Sequence, residues 1–91
     1  MNVKKLELIN RTNQYINELK SHSPQIETLE WYLINNLEEY LNSIKKANSG
    51  IEIEKASKIL DRFCLESMDW DTTIFKKCSE LTKFGLKLSK V

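Results

Sequence analysis

Between Ile26 and Ile44 the chain reads IETLEWYLINNLEEYLNSI, and this stretch has the clearest periodicity in the sequence. Its apolar residues recur at intervals of three or four, which is the spacing of one face of an α-helix. The members of this stripe are Ile26, Leu29, Leu33, Leu37, Tyr40 and Ile44. Because Trp31, Ile34 and Leu41 widen the stripe, we expect this helix to contact two neighbours and to be the most buried of the chain.

The same spacing predicts three more helices, separated by short turn segments. The first runs from about Val3 to Lys20, and the second, quoted above, from Pro24 to about Ala47. The third follows Asn48-Ser49-Gly50 and ends near Met68, and the fourth begins at Thr72. Short connections between helices of similar length favour antiparallel neighbours.

Small and polar residues mark the predicted helix ends. Ser23-Pro24 supplies an N-cap and a first helical residue for the second helix. Asn48-Ser49-Gly50 supplies a left-handed residue to end that helix, and its serine has capping-box spacing to Glu52. Asp69-Trp70-Asp71 supplies two acids, either of which can cap the fourth helix.

The composition favours the same fold. Ninety-one residues, 41% of them hydrophobic and 30% charged, are typical of one globular domain spanning residues 1–91. Two glycines and one proline leave few turns, which favours a few long helices over many short strands. We therefore predict an all-α protein, an antiparallel four-helix bundle with up-down-up-down topology.

The predicted inner faces of the last two helices place two cysteines at a similar height. The third helix is expected to bury Ile53, Ala56, Ile59, Leu60 and Phe63, and the fourth Ile74, Cys78, Leu81, Phe84, Gly85 and Leu88. Cys64 and Cys78 are equally distant from Asp71, so antiparallel packing lets them approach each other. We interpret them as small apolar core residues, with a redox bridge as the alternative.

No residue pattern indicates catalysis or metal binding. The single histidine, His22, lies in a predicted turn with no acid or cysteine nearby, and two glycines cannot build a phosphate-binding loop. Glu38 and Glu39 are adjacent and point in different directions on a helix, which is wrong for a carboxylate dyad. We expect no enzyme activity, no metal and no cofactor.

The sequence predicts a cytoplasmic protein without membrane contact. The longest apolar clusters, such as Trp31-Tyr32-Leu33-Ile34, are too short to span a bilayer. Glu7 interrupts the apolar run that a secretory signal requires. Two cysteines are not the disulfide framework of a small secreted domain.

Charge is unevenly distributed along the chain. Residues 1–22 and 72–91 carry an excess of bases, and residues 23–50 and 51–71 carry an excess of acids. In the predicted bundle the first and fourth helices are neighbours, as are the second and third. One side of the molecule should therefore be basic and the opposite side acidic.

The acidic side contains the predicted surface for a protein partner. Its residues are Glu54, Asp61, Leu65, Glu66, Met68, Asp69, Trp70 and Asp71. Leu65 and Trp70 are expected to act as apolar anchors, and the acids to orient the contact within a polar rim. For Trp70 alone, a structural role that staples the ends of the third and fourth helices together is favoured over this contact role. A homo-oligomer that buries the Leu65–Trp70 region against itself is an alternative.

The basic side offers a second candidate surface. A stripe on the fourth helix comprises Lys76, Lys83, Lys87 and Lys90. Such a stripe would give salt-dependent, non-specific contact with nucleic acid. We rank this function second, because the stripe has no arginine for bidentate phosphate contacts and no interleaved aromatic residues for base stacking.

Residues 51–88 resemble helical immunity proteins, which neutralise toxins of bacterial polymorphic and contact-dependent competition systems. The pattern consists of Glu52-x-Glu54-x-Ala56, Leu60, Asp69-Trp70-Asp71, Ile74-Phe75 and Leu81, and covers under half of the chain. The resemblance implies a non-catalytic protein that binds one cognate toxin and blocks its active site. A phage-type inhibitor of a host enzyme would present the same surface.

Overall fold

The computed structural model describes residues 3–67 and 72–89, which form four α-helices. The helices are α1 (Val3–Ser21), α2 (Leu29–Lys46), α3 (Gly50–Ser67) and α4 (Thr73–Ser89). Over these two ranges all regular structure is helical, which confirms the predicted all-α four-helix fold. In the same ranges no helix combines the length and the apolar character needed to cross a membrane.

Contacts between the helices are antiparallel. The Lys5 Nζ atom at the start of α1 donates a 2.7 Å hydrogen bond to the Ala47 carbonyl at the end of α2. Lys77 near the start of α4 forms a 2.7 Å ion pair with Glu18 near the end of α1. Each helix packs against the one before and the one after it, and α4 returns to α1. The four helices therefore form a closed ring of neighbours.

Residues with small side chains line the contact between α3 and α4, which is the most closely packed pair. A Cβ atom on Gly50 would collide with the carbonyl of Ser89. A Cβ atom on Gly85 would collide with the Ser57 Oγ and Tyr40 hydroxyl atoms. We call this contact the α3–α4 seam. Glycine is required at both positions because the neighbouring helices approach within the space that a side chain would fill.

The core lies between the four helices, and α2 contributes most to it. Its buried residues are Leu33, Ile34, Leu37, Tyr40, Leu41 and Ile44, one more than each of the other helices buries. The apolar stripe quoted above therefore faces the interior over most of its length, as predicted. Trp31 is half-buried at the flank.

The predicted start of α2 at Pro24 is wrong. Ser23 and Glu27 have φ angles of 49° and 68°, which a helix cannot contain. The helix begins at Leu29, and Thr28 is its N-cap, with an Oγ1 atom that accepts a 3.3 Å hydrogen bond from the Trp31 amide. Ile26, which continues the periodic stripe, is 74% exposed. The start of α2 is therefore set by the cap at Thr28, although the apolar pattern begins earlier in the sequence.

The connection from α2 to α3 also differs from prediction. Ala47 ends α2 in an extended conformation, and neither glycine of the chain has a positive φ angle. Gly50 is instead the first residue of α3. The Glu52 carboxylate accepts a 2.8 Å hydrogen bond from the Asn48 amide, so the capping interaction reaches one residue further back than the predicted bond to Ser49.

The prediction that Ile59 of α3 lies in the core is wrong. Ile59 is 67% exposed, and Phe63 is half-buried. Ser57, which was not predicted in the core, is fully buried, and the predicted burial of Cys64 is confirmed. Ile59 instead borders an open hollow beside Asn36 and Glu39 of α2.

The inner face of α4 agrees better with the sequence. Cys78, Leu81, Gly85 and Leu88 are buried, while Ile74 and Phe84, also expected there, are half-buried. Thr72 precedes the helix, and its Oγ1 atom accepts a 3.2 Å hydrogen bond from the Phe75 amide. The predicted caps Asp69 and Asp71 lie outside the described residues.

Candidate partner-binding surface

The outward side of α3 exposes three large aliphatic side chains. Ile51 is 65% exposed, Ile59 67% and Leu65 45%. Within residues 3–67 and 72–89, no other helix exposes three large apolar residues. We call this region, with its exposed polar neighbours, the α3 outer surface. Apolar residues interspersed with polar ones on one side of a helix occur at protein contact sites.

The polar neighbours on the α3 outer surface are mainly basic. Lys55, Lys58 and Arg62 are all exposed there, beside the acidic Glu66. Lys58 forms a 2.9 Å ion pair with Glu54 one turn earlier. Lys55 and Arg62 have no ion-pair partner among the described residues. The described part of this surface is therefore mixed in charge, and less acidic than the sequence predicts.

The predicted interface residues separate into three groups. Leu65 and Glu66 are exposed together in the last turn of α3. Glu54 and Asp61 are half-buried, and Asp61, which was expected to face outward, accepts a 3.4 Å hydrogen bond from Thr82 Oγ1 of α4. The remaining predicted residues, Met68, Asp69, Trp70 and Asp71, lie outside the described residues.

The predicted lysine stripe is present along α4. Lys76, Lys83 and Lys87 are exposed, and none has an ion-pair partner in the described part of the chain. Lys90, the fourth member, lies outside that part. A small cleft of about 130 Å³ lies beside the stripe, between α1 and α4. Its lining residues are Lys4, Glu7, Phe84, Lys87 and Leu88.

The predicted charge polarity is present and stronger on the basic side. Together, α1 and α4 contain eight basic and three acidic residues, and α2 and α3 contain five basic and seven acidic residues. Two acids of the basic side are already paired, Glu7 with Arg11 and Glu18 with Lys77, each at 2.7 Å. The lysine stripe is therefore left available for an external anion.

The connection between α1 and α2 brings together a pair that the sequence analysis missed. His22 Nδ1 lies 3.4 Å from Glu30 Oε2, and both side chains are partly exposed. They line an open hollow of about 400 Å³. No group of three or more His, Cys, Asp and Glu side chains able to hold a metal ion occurs in residues 3–67 and 72–89. The positive φ angles at Ser23 and Glu27, which fold the connection back, have no clear signal in the sequence.

Two thiols and a tyrosine are titratable groups buried in the core between α1, α3 and α4. Cys64 and Cys78 are free and fully buried. Hydrogen bonding to Cys64, together with burial, raises the pKa of the Cys78 thiol. The buried Tyr15 hydroxyl has no hydrogen-bond partner among the described residues, and burial, followed by the nearby Cys78, raises its pKa. The bundle thus places titratable groups in its interior without exposing them to a ligand.

No family model, curated protein or solved structure matches this chain.

Proposed function

We propose that this chain is a small non-catalytic protein that binds a protein partner through the α3 outer surface and the residues that follow it. The observation that carries this proposal is the exposure of Ile51, Ile59 and Leu65 on one helix. Each exposed aliphatic side chain can be desolvated against a partner, while the charged groups around them orient the contact. The half-exposed Leu65 is the proposed anchor, because it adjoins the predicted interface residues 66 and 68–71.

The resemblance of residues 51–88 to immunity proteins supports a more specific form of this proposal. In that form the chain is a cytoplasmic inhibitor that neutralises one cognate toxin. Glu66, Asp69 and Asp71 would face basic groups of the toxin's substrate site, with Trp70 as a second anchor. Lys55 and Arg62 add a requirement, since they need acidic or polar groups at the corresponding positions of the partner.

A pair of matched substitutions tests the proposed surface. Leu65 is 45% exposed on α3 and Leu6 is 47% exposed on α1, so Leu6→Lys is a control of equal exposure for Leu65→Lys. A partner is first captured from a lysate of the source organism with the wild-type chain, identified and purified. We expect Leu65→Lys to weaken its affinity by more than about tenfold and Leu6→Lys to leave it unchanged. Trp70→Ala should weaken it similarly, with circular dichroism confirming that each variant is folded.

Equal affinity for the wild type and for the Leu65→Lys and Trp70→Ala variants would show that the partner binds elsewhere. The immunity form makes an additional demand. The purified partner must be a toxin whose activity falls as the chain is added, and a partner without toxic activity excludes that form while leaving protein binding intact. Light scattering separates self-association, since a dimer that Leu65→Lys dissociates would assign the surface to a second copy.

A second candidate function, contact with nucleic acid, is favoured by the exposed and unpaired lysine stripe of α4. With three phosphate contacts from Lys76, Lys83 and Lys87, the logarithm of the binding constant should fall with the logarithm of salt concentration at a slope of about −2.7 on duplex DNA. Anisotropy titrations at low salt measure this slope. Replacement of these three lysines by alanine should abolish binding.

The control for that titration removes the same charge from the opposite side of the molecule. Lys45, Lys46 and Lys55 are exposed on α2 and α3. Their replacement by alanine should leave binding largely unchanged if the α4 stripe is the site. Equal losses in both triple variants would indicate a response to net charge alone, and absence of binding by the wild type at low salt would exclude this function.

A further inference from the structure

One polar contact across the α3–α4 seam joins two thiols. Cys64 and Cys78 are both fully buried, and the hydrogen bond between them joins adjacent antiparallel helices. Other cross-seam contacts have the same register, including Asp61 with Thr82 and Ser57 with Gly85. The thiols therefore face each other as a consequence of the whole helix pairing.

Close packing along this seam favours the backbone approach that a disulfide needs. Bridged cysteines have Cα atoms no more than about 7 Å apart, whereas ordinary helix pairs have axes separated by about 8–10 Å. Cysteines on packed helices can meet that condition where small residues let the backbones approach. The collisions that Cβ atoms would make at Gly50 and Gly85 show such an approach on both sides of the seam.

We propose that Cys64 and Cys78 are an oxidation site, at which a peroxide or a small disulfide converts the two thiols into one intramolecular disulfide linking α3 to α4. This site is independent of the proposed partner-binding function. It concerns a redox modification of the chain itself, which can be tested without a partner.

The reaction with hydrogen peroxide balances without a cofactor. One cysteine, as its thiolate, attacks the peroxide oxygen, which breaks the O–O bond and yields a sulfenic acid and water. The second thiol attacks the sulfenic sulfur, forms the S–S bond and releases a second water molecule. Two protons and two electrons leave the thiols, and one peroxide is reduced to two water molecules. With oxidised glutathione, attack by one cysteine releases the first glutathione thiol, and attack by the second cysteine on the mixed disulfide forms the bridge and releases the other.

Burial controls the rate of this oxidation. A buried thiol with a raised pKa, such as Cys78, reacts poorly in the closed structure. Cys64, however, lies one turn before the end of α3 at Ser67, and Cys78 lies in the second turn of α4. Local opening at helix ends requires less free energy than global unfolding, so oxidant can reach the pair while the rest of the bundle is folded. The same burial slows reduction of the bridge, which depends on the same local opening.

The experiment uses the full chain, reduced and then separated from reductant. Hydrogen peroxide is the first probe and oxidised glutathione the second. Intact mass under non-reducing conditions should decrease by about 2 Da, and digestion should yield one peptide pair linking Cys64 to Cys78. Thermal unfolding should shift upward by at least about 5 °C, because the bridge closes a loop of about 15 residues in the unfolded chain. Dithiothreitol should reverse both changes.

Control samples test whether the mass change comes from a bridge between these two thiols. Tyr15→Phe keeps the neighbouring core and both thiols, so it should still form the bridge. Cys64→Ser and Cys78→Ser should each lose the 2 Da change, and the measurement on the wild type stands even where a variant folds poorly. A chain unfolded in urea serves as the reference for complete oxidation.

Three results would overturn the proposal. The first is retention of both free thiols by the folded chain under conditions that fully oxidise the unfolded reference. The second is conversion to sulfinic acid or to glutathione adducts without a bridge. The third is a disulfide between two chains, seen as a covalent dimer on a non-reducing gel.

Discussion

The Tyr40 hydroxyl of α2 and the Ser57 hydroxyl of α3 share a 2.9 Å hydrogen bond inside the core. Both groups point at the position where a Cβ atom of Gly85 would lie. This bond therefore depends on three helices. The two hydroxyl groups belong to α2 and α3, and α4 leaves room for them because Gly85 has no side chain. A buried polar pair of this kind depends on its partners, since loss of either leaves the other without a hydrogen bond.

Substitution of the two buried tyrosines by phenylalanine should have different effects. Tyr40→Phe leaves the buried Ser57 hydroxyl without this partner, and we expect a loss of about 1–2 kcal/mol in the free energy of unfolding. Tyr15→Phe removes a hydroxyl that has no partner among the described residues, so it should be neutral or stabilising. Urea denaturation of both variants measures the difference. Equal losses would show that the Tyr15 hydroxyl has a partner in solution.

Gly85→Ala should destabilise the protein through overpacking. The new methyl group collides with Ser57 Oγ and the Tyr40 hydroxyl, and we expect a loss of about 1–3 kcal/mol. Adding Ser57→Ala should restore part of that loss, because it removes one of the two atoms in collision. A double-mutant cycle by urea denaturation gives the coupling. If the two effects simply add, Gly85 and Ser57 lie further apart in solution than in this structure.

The corrected start of α2 leads to a test at two candidate caps. Thr28→Ala removes the side chain that accepts from the Trp31 amide and should cost about 1 kcal/mol. Ser23→Ala, at the position that the sequence analysis preferred, should change the free energy of unfolding by less than about 0.5 kcal/mol. Thermal or urea unfolding distinguishes the two. A larger loss for Ser23→Ala than for Thr28→Ala would place the start of α2 at Pro24.

Stability should fall in alkali through the buried tyrosine of α2. Burial raises the pKa of Tyr40 from 10.0 to about 12, with the hydrogen bond to Ser57 acting in the opposite direction. Between these values the unfolded chain releases the tyrosine proton and the folded chain retains it. The associated stability is therefore fully present below pH 10 and is lost as the pH rises toward 12. Urea midpoints across this window should fall less steeply for Tyr40→Phe than for the wild type.

Periodicity predicts the number and order of the helices because a 3.6-residue repeat identifies which side of a helix faces the core. It fails where something other than apolar size decides burial. Ile59 fits the inner stripe of α3 in the sequence, yet it is 67% exposed while the smaller and more polar Ser57 is fully buried. Likewise, Ile26 continues the apolar stripe of α2 in the sequence, but it lies before Thr28, the residue that caps the start of the helix.

The candidate surface could be predicted only in part. The exposed Leu65 and Glu66 follow from their spacing on a helix. The inward turn of Asp61 toward Thr82 does not, since it depends on the rotation of α3 about its axis. Nor does the pairing of His22 with Glu30, which requires the chain to reverse between them.

The α3–α4 seam divides the residues of α3 by how freely they can vary. On its inner side a single added methyl group meets neighbouring atoms at Gly50, as it does on α4 at Gly85. On the outer side Ile51, Lys55, Ile59 and Arg62 face solvent and meet no such steric limit. Selection can therefore remodel what this helix presents, one residue at a time, without disturbing how the bundle is assembled. A chain with this division can change its outer surface while its interior stays the same.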